Sequence, residues 1–257
     1  MSKAKERADF LVFKQGLASS KEQAKRCIMA GEILAELSGK NGQGRLEAVV
    51  KPGHPYPVET HFLRREAERF VSRGGYKLLT LLEHTALDVN GLVCLDAGAS
   101  TGGFTDCLLQ HGAARVYAFD VGHNQLHEKL QNDSRVISHE GVNLRYLKED
   151  LLPELVDLIV CDVSFISLTL ILAPCLTFLK SNGRLAVLIK PQFELGPGET
   201  VHGVVKDPLA QQRACDKIVD YCARELGLGC LALIPSKLKG TKGNQEYMAL
   251  FERRDGI

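Results

Sequence analysis

Apolar runs alternate with helical segments from about residue 72 to the end of the chain. Seven of these runs are predicted to be strands, over residues 92–96, 115–120, 136–139, 158–162, 184–190, 230–235 and 246–251. Strands that alternate with helices are typical of a mostly parallel sheet with helices on both faces. The pattern therefore predicts an α/β domain over residues 72–257, of the kind that binds nucleotides at the carboxyl ends of its strands.

Residues 1–60 follow a different pattern, which predicts a small α+β domain. Ser20, with the acid Glu22 close by, has the features of a helix N-cap, and the helix that it opens is predicted to end at Gly31. Short strands are predicted over residues 32–34 and 47–50, with a glycine-rich loop between them and a proline-rich turn after them. Residues 61–71 are assigned to a linker between the two domains.

Residues 163–179 form an uncharged stretch that must be tested as a membrane span. The stretch has 17 residues, fewer than the roughly 20 apolar residues that a bilayer-spanning helix needs. Pro174 and several serines and threonines also interrupt it. A buried connecting helix is the interpretation that these residues favour.

Composition agrees with a globular chain and reveals an uneven charge distribution. Of the 257 residues, 45% are hydrophobic and 25% are charged, which excludes a disordered or fibrous protein. The net charge of +1 combines 15 basic and 9 acidic groups in residues 1–77 with 17 basic and 22 acidic groups in the remainder. Excess positive charge at one end is expected of a region that faces a polyanion, although ordinary solvated surface charge gives the same count.

The eight cysteines show no C-x-x-C spacing, which favours reduced core residues over zinc ligands or disulfides. The first ten residues lack the apolar segment of a secretory signal, so we expect a cytoplasmic protein. No metal site is predicted.

A glycine-rich turn, DAGASTGGF at residues 96–104, follows the first strand of the α/β domain. Gly98 and Gly103 fit the outer positions of the dinucleotide fingerprint G-x-G-x-x-G, but Ser100 stands at the middle position, where only glycine lets a pyrophosphate approach. NAD is therefore disfavoured. Asp120, which ends the second strand, is placed to bind the hydroxyls of a ribose. S-adenosylmethionine has this ribose and lacks the pyrophosphate, while a purely structural turn is the alternative.

Charged side chains stand at the ends of other predicted strands, where ligands bind in open α/β sheets. Asp162 and Lys190 each close an apolar run, Glu246 opens the last strand, and Lys77 precedes the first. A lysine after five apolar residues is costly unless it faces a cleft or a partner, although a lysine that reaches the surface is the alternative.

Taken together, these motifs resemble those of the TlyA or hemolysin-A-like family of FtsJ-type RNA methyltransferases, over nearly the whole chain. The residues that carry the resemblance are Arg7-Ala8-Asp9, Lys25-Arg26, Met29-Ala30-Gly31, Ser72-Arg73-Gly74-Gly75-x-Lys77-Leu78, the turn 96–104, CDVSFIS at 161–167 and KPQFE at 190–194. The resemblance implies a Rossmann-like seven-stranded methyltransferase sheet after an RNA-binding domain of the ribosomal protein S-four type. The loop over residues 36–45 departs from that type, because it is longer and richer in glycine than the usual hairpin.

The resemblance also implies S-adenosylmethionine as cofactor, ribose 2′-O methylation of ribosomal RNA, and a catalytic tetrad of Lys77, Asp162, Lys190 and Glu246. The residues assigned to the cofactor are Gly98, Ser100, Thr101, Gly102, Gly103, Asp120 and Asn143. The residues expected to meet RNA phosphates are Arg7, Lys25, Arg26, Arg64, Arg65 and Arg73. A ribose hydroxyl must lose its proton as it attacks a methyl group, and a neutral lysine would accept that proton. A charged lysine would instead orient the hydroxyl, and the sequence leaves both roles for Lys190 open.

Two other functions are weighed against this one. A membrane-active hemolysin would need a spanning helix or a strongly amphipathic basic helix, and the sequence shows neither. An RNA-binding protein whose methyltransferase fold has lost activity is harder to exclude, since intact site residues do not prove turnover.

Overall fold

The computed structural model describes residues 4–38, 44–65, 68–148, 150–196 and 198–253, and the chain divides into two compact units, Met1–Arg69 and Phe70–Ile257. The division lies inside the predicted linker 61–71, of which residues 66 and 67 are outside the described residues. Residues 61–64 form a strand of the first unit because Phe62 is buried in its core. The small domain therefore extends beyond residue 60.

The first unit packs two helices against short antiparallel strands. Its elements are β1 Lys5–Arg7, α1 Ala8–Lys14, α2 Lys21–Met29, β2 Ile33–Ser38, β3 Gly44–Ala48, β4 Pro55–Pro57 and β5 His61–Arg64. The sheet has the order β3-β2-β5, and β1 pairs with β4. Of the predicted loop 36–45, residues 36–38 belong to β2, and residues 39–43 lie outside the described residues.

Helix α2 begins and ends where the sequence predicts. The Ser20 hydroxyl accepts a hydrogen bond from the Gln23 N–H at 3.1 Å, which satisfies a donor in the first turn. At the other end Gly31 has φ +74°, and the Glu32 N–H donates to the Cys27 carbonyl at 3.0 Å. A left-handed residue followed by this bond closes a helix end, and glycine adopts that conformation without steric cost.

The second unit alternates strands and helices, as predicted. Its elements are α3 Gly74–Thr85, β6 Val93–Ala97, α4 Gly103–Gln110, β7 Arg115–Asp120, α5 Glu128–Gln131, β8 Val136–Glu140, β9 Val156–Cys161, α6 Leu172–Leu176, β10 Leu179–Ile189, α7 Pro191–Glu194, α8 Pro208–Arg224, β11 Leu228–Pro235 and β12 Tyr247–Arg253. The strands form one sheet of order β11-β12-β10-β9-β6-β7-β8, in which β12 runs antiparallel to both of its neighbours. The predicted α/β fold with seven strands is confirmed.

The sheet is buried on both faces because its central strands are apolar at nearly every position. In β6, Cys94 packs into the core on one face of the sheet and Leu95 packs into the core on the other. Leu158 and Ile159 divide in the same way in β9. Strands that are covered on both faces are apolar at consecutive positions. This is why the strands predicted from the sequence lie close to the observed ones.

The uncharged stretch 163–179 is not one connecting helix. A 3-10 turn at Leu168–Leu170 and the five-residue helix α6 replace it, and Leu168, Leu172 and Cys175 are buried. Pro174, the third residue of α6, has no N–H to donate to the Leu170 carbonyl, so one helix cannot run unbroken from the turn into α6. Among the residues that the structure describes, no helix is both long enough and apolar enough to cross a membrane.

Candidate active site

Two lysine–carboxylate pairs lie at one edge of the seven-stranded sheet, and all four residues are buried except Asp162, which is partly exposed. The Nζ atom of Lys77 is 2.5 Å from Oε2 of Glu246, and the Nζ atom of Lys190 is 2.5 Å from Oδ1 of Asp162. Lys190 also donates to the Ser164 hydroxyl at 2.9 Å. Lys77, Asp162 and Lys190 line one cleft, whereas the Glu246 side chain is 3% exposed and lies against Lys77. The structure thus brings together the four residues of the expected tetrad.

Topology explains how residues so distant in sequence meet. Strands β9 and β10 are parallel, so Asp162 and Lys190, which follow them, stand at the same edge. Strand β12 is antiparallel to β10, so Glu246, just before its start, reaches that edge from the other direction. Lys77 comes from the first turns of α3. Each side chain is therefore held by a regular element or by the residue next to one.

Close backbone packing brings α3 to the glycine-rich turn. A side chain at Gly103 would overlap the Ser72 hydroxyl and would lie 3.2 Å from the Gly74 Cα atom. A side chain at Gly98, where φ is +86°, would lie 2.9 Å from the carbonyl oxygen of Asp162. Because these glycines have no side chain, the turn after β6 can contact both α3 and the loop after β9, and this contact shapes the cleft.

The cofactor residues assigned from sequence divide between two adjoining clefts. Gly98, Ser100, Thr101 and Gly103 line the cleft that holds the lysines, and Gly98, Ser100, Asp120 and Asn143 line its neighbour. Gly102 lines neither. With φ +93° it turns inward, where a side chain would overlap Leu130, so its role is to start helix α4. Because the two clefts share Gly98 and Ser100, they form one continuous groove.

Asp120 and Asn143 both bond to the backbone around this groove. The Asp120 carboxylate accepts from the Ser100 N–H at 2.8 Å and from the Gly122 N–H at 2.7 Å. Carboxylate oxygens have about four acceptor sites in all, so Asp120 can still bind a ribose diol. The Asn143 side chain accepts from the Arg145 N–H at 3.1 Å and caps a 3-10 turn.

Asp96, near the end of β6, is a buried acid for which the sequence predicts no role. Its Oδ2 accepts from the N–H and the hydroxyl of Thr105 at 2.9 and 2.7 Å, while its Oδ1 has no hydrogen-bond partner among the described residues. Burial raises the pKa of Asp96 to about 7, with Asp162 nearby adding to the effect.

The loop after β9 is fixed from beneath by Glu194. This buried carboxylate accepts from the Ser167 hydroxyl at 2.5 Å, from the Leu168 N–H at 2.9 Å and from Lys217 at 3.3 Å. Buried charge held by three donors is stable, so the loop that carries Asp162 and Ser164 has a defined shape. Glu194 belongs to the motif at 190–194, but only the structure shows that its carboxylate bonds to the loop after β9.

Phe165, in this loop, is an exposed aromatic residue in a strained conformation. Its φ is +66°, its side chain is 90% exposed, and it lines the second cleft. Its ring centroid is 5.1 Å from that of Phe193. A positive φ is a genuine outlier for a bulky residue, and such strain concentrates at functional sites. Phe165 belongs to the motif at 161–167, but the pattern of hydrophobic and polar residues does not indicate that its side chain is exposed.

The cations expected to meet RNA are exposed or only partly buried, and several have carboxylate neighbours. In the first unit Arg7 pairs with Asp9 at 2.6 Å. The other pairs there are Lys25 with Glu22 at 2.6 Å and Arg64 with Glu32 at 2.9 Å, while Arg26 and Arg65 are exposed. In the second unit Arg73 donates to the Lys239 carbonyl at 2.9 Å. Exposed ion pairs are weak, so Lys25 and Arg64 are available to other anions, whereas Arg7 is held by two hydrogen bonds to the buried Asp9 carboxylate.

The cysteines of the described residues matter as thiols and as possible metal ligands. Seven cysteines are buried thiols outside any disulfide, and burial raises the pKa of Cys175 and Cys215 to about 12, which keeps both thiols protonated. Among the residues described by the structure, no group of three histidine, cysteine or acidic side chains is arranged to hold a metal ion.

Comparison with known proteins gives the same picture over almost the whole chain. Residues 70–253 match the family model of the FtsJ-like methyltransferases. The 16S/23S rRNA (cytidine-2′-O)-methyltransferase TlyA of Mycobacterium tuberculosis is 40% identical over 246 residues, which cover 94% of this chain and 87% of that protein. Hemolysin A of Brachyspira hyodysenteriae is 38% identical over 251 residues, which cover 95% of this chain and 99% of that protein.

Solved structures agree with these relatives. A hemolysin-like chain from Streptococcus thermophilus superposes with a TM-score of 0.72 at 40% identity, covering 99% of this chain and 90% of that one. The fibrillarin/Nop5p complex matches with a TM-score of 0.53 at 16% identity, over 74% of this chain and 89% of that one, which shows a shared fold alone. The chain therefore belongs to the FtsJ-like family of S-adenosylmethionine-dependent methyltransferases, in the group that contains TlyA and hemolysin A.

Proposed function

We propose that the protein transfers a methyl group from S-adenosylmethionine to a ribose 2′-hydroxyl of ribosomal RNA in the cytoplasm. The observation that carries the proposal is the juxtaposition of the Lys77–Glu246 and Lys190–Asp162 pairs at the inner end of a groove. Ribosomal RNA as substrate is supported by the relatives whose names state it.

The groove fits the cofactor by shape and by donor chemistry. Gly98 leaves room for close approach to the backbone, and Asp120 offers a carboxylate to a ribose diol. Ser100 and Thr101 contribute to the wall of the groove, and Asn143 lines its second cleft. Asp96, the first residue of the glycine-rich turn, has one buried oxygen without a hydrogen-bond partner among the described residues, and a buried water would satisfy it.

S-adenosylmethionine, when bound, supplies the electrophilic sulfonium methyl group. The chain's own task is to hold the ribose hydroxyl in line with that group and to manage its proton. Lys190 reaches the cleft from the end of β10, where its amine forms an ion pair with Asp162 at 2.5 Å and donates a hydrogen bond to the Ser164 hydroxyl at 2.9 Å. An amine paired with a carboxylate has the arrangement of a group that orients a hydroxyl, so this geometry favours the orienting role.

The second pair supports the first. Lys77 lies beside the same cleft, and Glu246 balances its charge in a buried position. Loss of one partner from such a pair leaves an uncompensated buried charge, which costs about 3–5 kcal/mol. Lys77 thus presents an amine to the cleft where negative charge develops on the ribose oxygen.

Phe165 is placed to hold the base of the target nucleotide. An exposed ring at the rim of the groove offers a face for stacking, and base–aromatic stacking contributes about 1–3 kcal/mol per base. An RNA enzyme that acts on one ribose must separate its nucleotide from its neighbours, and such a platform stabilises the separated state.

The experiment that tests the function is methyl transfer from radiolabelled S-adenosylmethionine to purified ribosomal subunits and to deproteinised ribosomal RNA. Label should enter RNA with the wild-type protein and should be lost with Asp162→Asn, while both proteins bind the cofactor by calorimetry. Cofactor binding without transfer to either substrate would indicate an RNA-binding protein with an inactive fold. Leakage of loaded liposomes by the wild type, without transfer, would favour the hemolysin alternative.

A further inference from the structure

The hairpin that joins β11 to β12 carries positive charge beside the candidate active site. Its residues, 236–246, read SKLKGTKGNQE, and Lys237, Lys239 and Lys242 are all exposed. Its single carboxylate, Glu246, is buried and paired with Lys77. We call this segment the lysine hairpin. Its three lysines thus have no carboxylate of their own hairpin available to neutralise them.

A buried amide gives the lysine hairpin a defined shape. Asn244 is 2% exposed, its Oδ1 accepts from the Val205 N–H at 3.0 Å, and its Nδ2 donates to the carbonyls of Gly203 and Thr241 at 2.9 and 3.1 Å. The Gly240 N–H donates to the Asn244 carbonyl at 2.8 Å. A fully bonded buried side chain holds the hairpin against residues 202–206, so its lysines are displayed on a structured surface.

The segments that bond to the hairpin add further cations, and the nearest acid after them, Asp207, is used to cap helix α8. Lys242 donates to the His202 carbonyl at 3.2 Å, and residues 201–206 (VHGVVK) end in exposed Lys206. Arg73 donates to the Lys239 carbonyl and comes from residues 70–76 (FVSRGGY), which also lack a carboxylate. No ion pair with a carboxylate is found in the described residues for any of the three hairpin lysines.

This concentration stands out against the rest of the unit. Residues 78–257 carry 22 acidic and 17 basic groups, so an uncompensated group of cations is not the average surface of this region. It also adjoins the reaction site, because Glu246 ends the hairpin and Gly240 packs so closely on the Glu246 carboxylate that a side chain there would overlap it. A polyanion bound here would be held within reach of the groove.

We propose that the lysine hairpin binds the phosphates of the RNA strand on one side of the nucleotide that enters the groove. The inference rests on the proposed function, and it adds a phosphate-binding surface within the methyltransferase unit itself. Phosphate contacts fix register and orientation without reading sequence. The hairpin therefore positions the target ribose, while choice of nucleotide is left to other contacts.

The test compares two triple variants that remove the same charge. Lys237→Gln, Lys239→Gln and Lys242→Gln are combined in the hairpin variant. The matched control combines Lys180→Gln, Arg184→Gln and Arg224→Gln, whose side chains pair with Asp157, Glu252 and Asp220 outside the hairpin. A third variant replaces the hairpin lysines with arginine. Binding of a short mixed-sequence single-stranded RNA is measured across a salt series, and methylation kinetics are measured on ribosomal subunits.

Three lost phosphate contacts should lower the slope of log affinity against log salt by about 2, at about 0.7 for each contact to a single strand. The KM for ribosomal subunits should rise about tenfold in the hairpin variant, with kcat within about twofold of wild type, because the reacting groups are unchanged. The control and the arginine variant should keep the wild-type slope and KM, and all four proteins should bind S-adenosylmethionine equally.

A hairpin variant with the wild-type salt slope and KM, or with losses no larger than those of the control, would overturn the inference. A wild-type protein that neither binds nor methylates RNA would instead overturn the proposed function. The two failures are therefore distinguishable in one set of measurements.

Discussion

Lys190 is the residue on which the chemistry depends most directly. Replacement by methionine keeps the length of the side chain and removes the amine, so methyl transfer should fall by about 10²–10⁴-fold. Affinity for S-adenosylmethionine should stay within about twofold, because Lys190 bonds to Asp162 and Ser164 rather than to the residues assigned to the adenosine half. Single-turnover kinetics and calorimetry measure the two quantities separately, and retained turnover would remove Lys190 from the site.

The same residue gives a test of its role. A lysine that must be neutral to accept the proton makes the single-turnover rate rise with pH, whereas an orienting ammonium gives a rate that is flat over the same range. The ion pair with Asp162 is the arrangement of an orienting amine, so we expect the flat profile. A rate that climbs tenfold per pH unit from neutral pH would favour the base.

Asp96 predicts a pH dependence of stability at the residue scale. Its pKa is raised to about 7 in the fold by burial, so the protonated acid is the form that the fold favours. Its contribution to stability is complete below about pH 4, the value for an unfolded chain, and is lost as pH rises towards 7. The wild type should therefore lose stability relative to Asp96→Asn by about 1 kcal/mol per pH unit across that window.

Urea unfolding of both proteins at a series of pH values measures this difference. The comparison with Asp96→Asn cancels the other titrating groups, several of which have lowered pKa values and act in the opposite direction at lower pH, among them Asp9 and Asp133. A constant difference between pH 4 and 7 would show that Asp96 is ionised in the fold throughout.

At the scale of elements, the loop after β9 depends on Glu194 beneath it. In Glu194→Gln an amide replaces the oxygen that accepts from Ser167 and Lys217, so the loop should loosen around Asp162 and Phe165. Loss of hydrogen bonds to a buried charge costs about 1.5–3 kcal/mol of stability. We expect kcat to fall about tenfold or more while cofactor affinity changes little, measured well below the unfolding temperature.

Lys217→Met is the matched control for Glu194. It removes the partly exposed partner and leaves the bonds from Ser167 and Leu168 in place, so kcat should stay close to wild type. Equal losses in the two variants would show that the element only supports folding and does not position the loop.

The elements of this protein are predictable where their pattern is local. Continuous apolar runs predict all seven strands, and Ser20 and Gly31 predict both ends of α2, because burial and capping act on neighbouring residues. The stretch 163–179 is misread as one helix, since Leu168, Leu172 and Cys175 satisfy helical burial while Pro174 and the bonds to Glu194 shape the segment differently. Such tertiary bonds leave no trace in periodicity.

Part of the candidate site is also predictable from the sequence, where it depends on the ends of neighbouring strands. Charged residues at strand ends must meet when the strands are neighbours, which is why Asp162 and Lys190 form a pair. The inward turn of Gly102 and the exposure of Phe165 depend on residues distant in sequence, so the pattern of glycines and motifs does not reveal them.

At the scale of the whole molecule, the division into two units leads us to expect that cofactor binding and RNA binding can be separated. Deletion of residues 1–69 leaves the unit that contains the groove and the tetrad, so affinity for S-adenosylmethionine should be unchanged. The deletion removes most of the excess positive charge of residues 1–77, so RNA affinity and the salt slope should both fall, by about 0.7–0.9 in slope for each lost phosphate contact.

Calorimetry with the cofactor and salt-dependent RNA binding follow the two activities in the truncated protein. Methylation should fall together with RNA binding, because the reacting groups remain but the substrate is no longer held. A truncated protein that methylates ribosomal RNA with unchanged efficiency and salt slope would show that the charge asymmetry is ordinary surface solvation.

The position of the transferred methyl group tests the central claim most directly. Ribosomal RNA incubated with the protein and S-adenosylmethionine is cleaved by alkali, which requires a free 2′-hydroxyl, and the resistant dinucleotides are identified by mass spectrometry. The proposed chemistry predicts a new alkali-resistant site that depends on Lys190 and Asp162. Methyl groups found on bases, with every ribose still open to alkali, would contradict it.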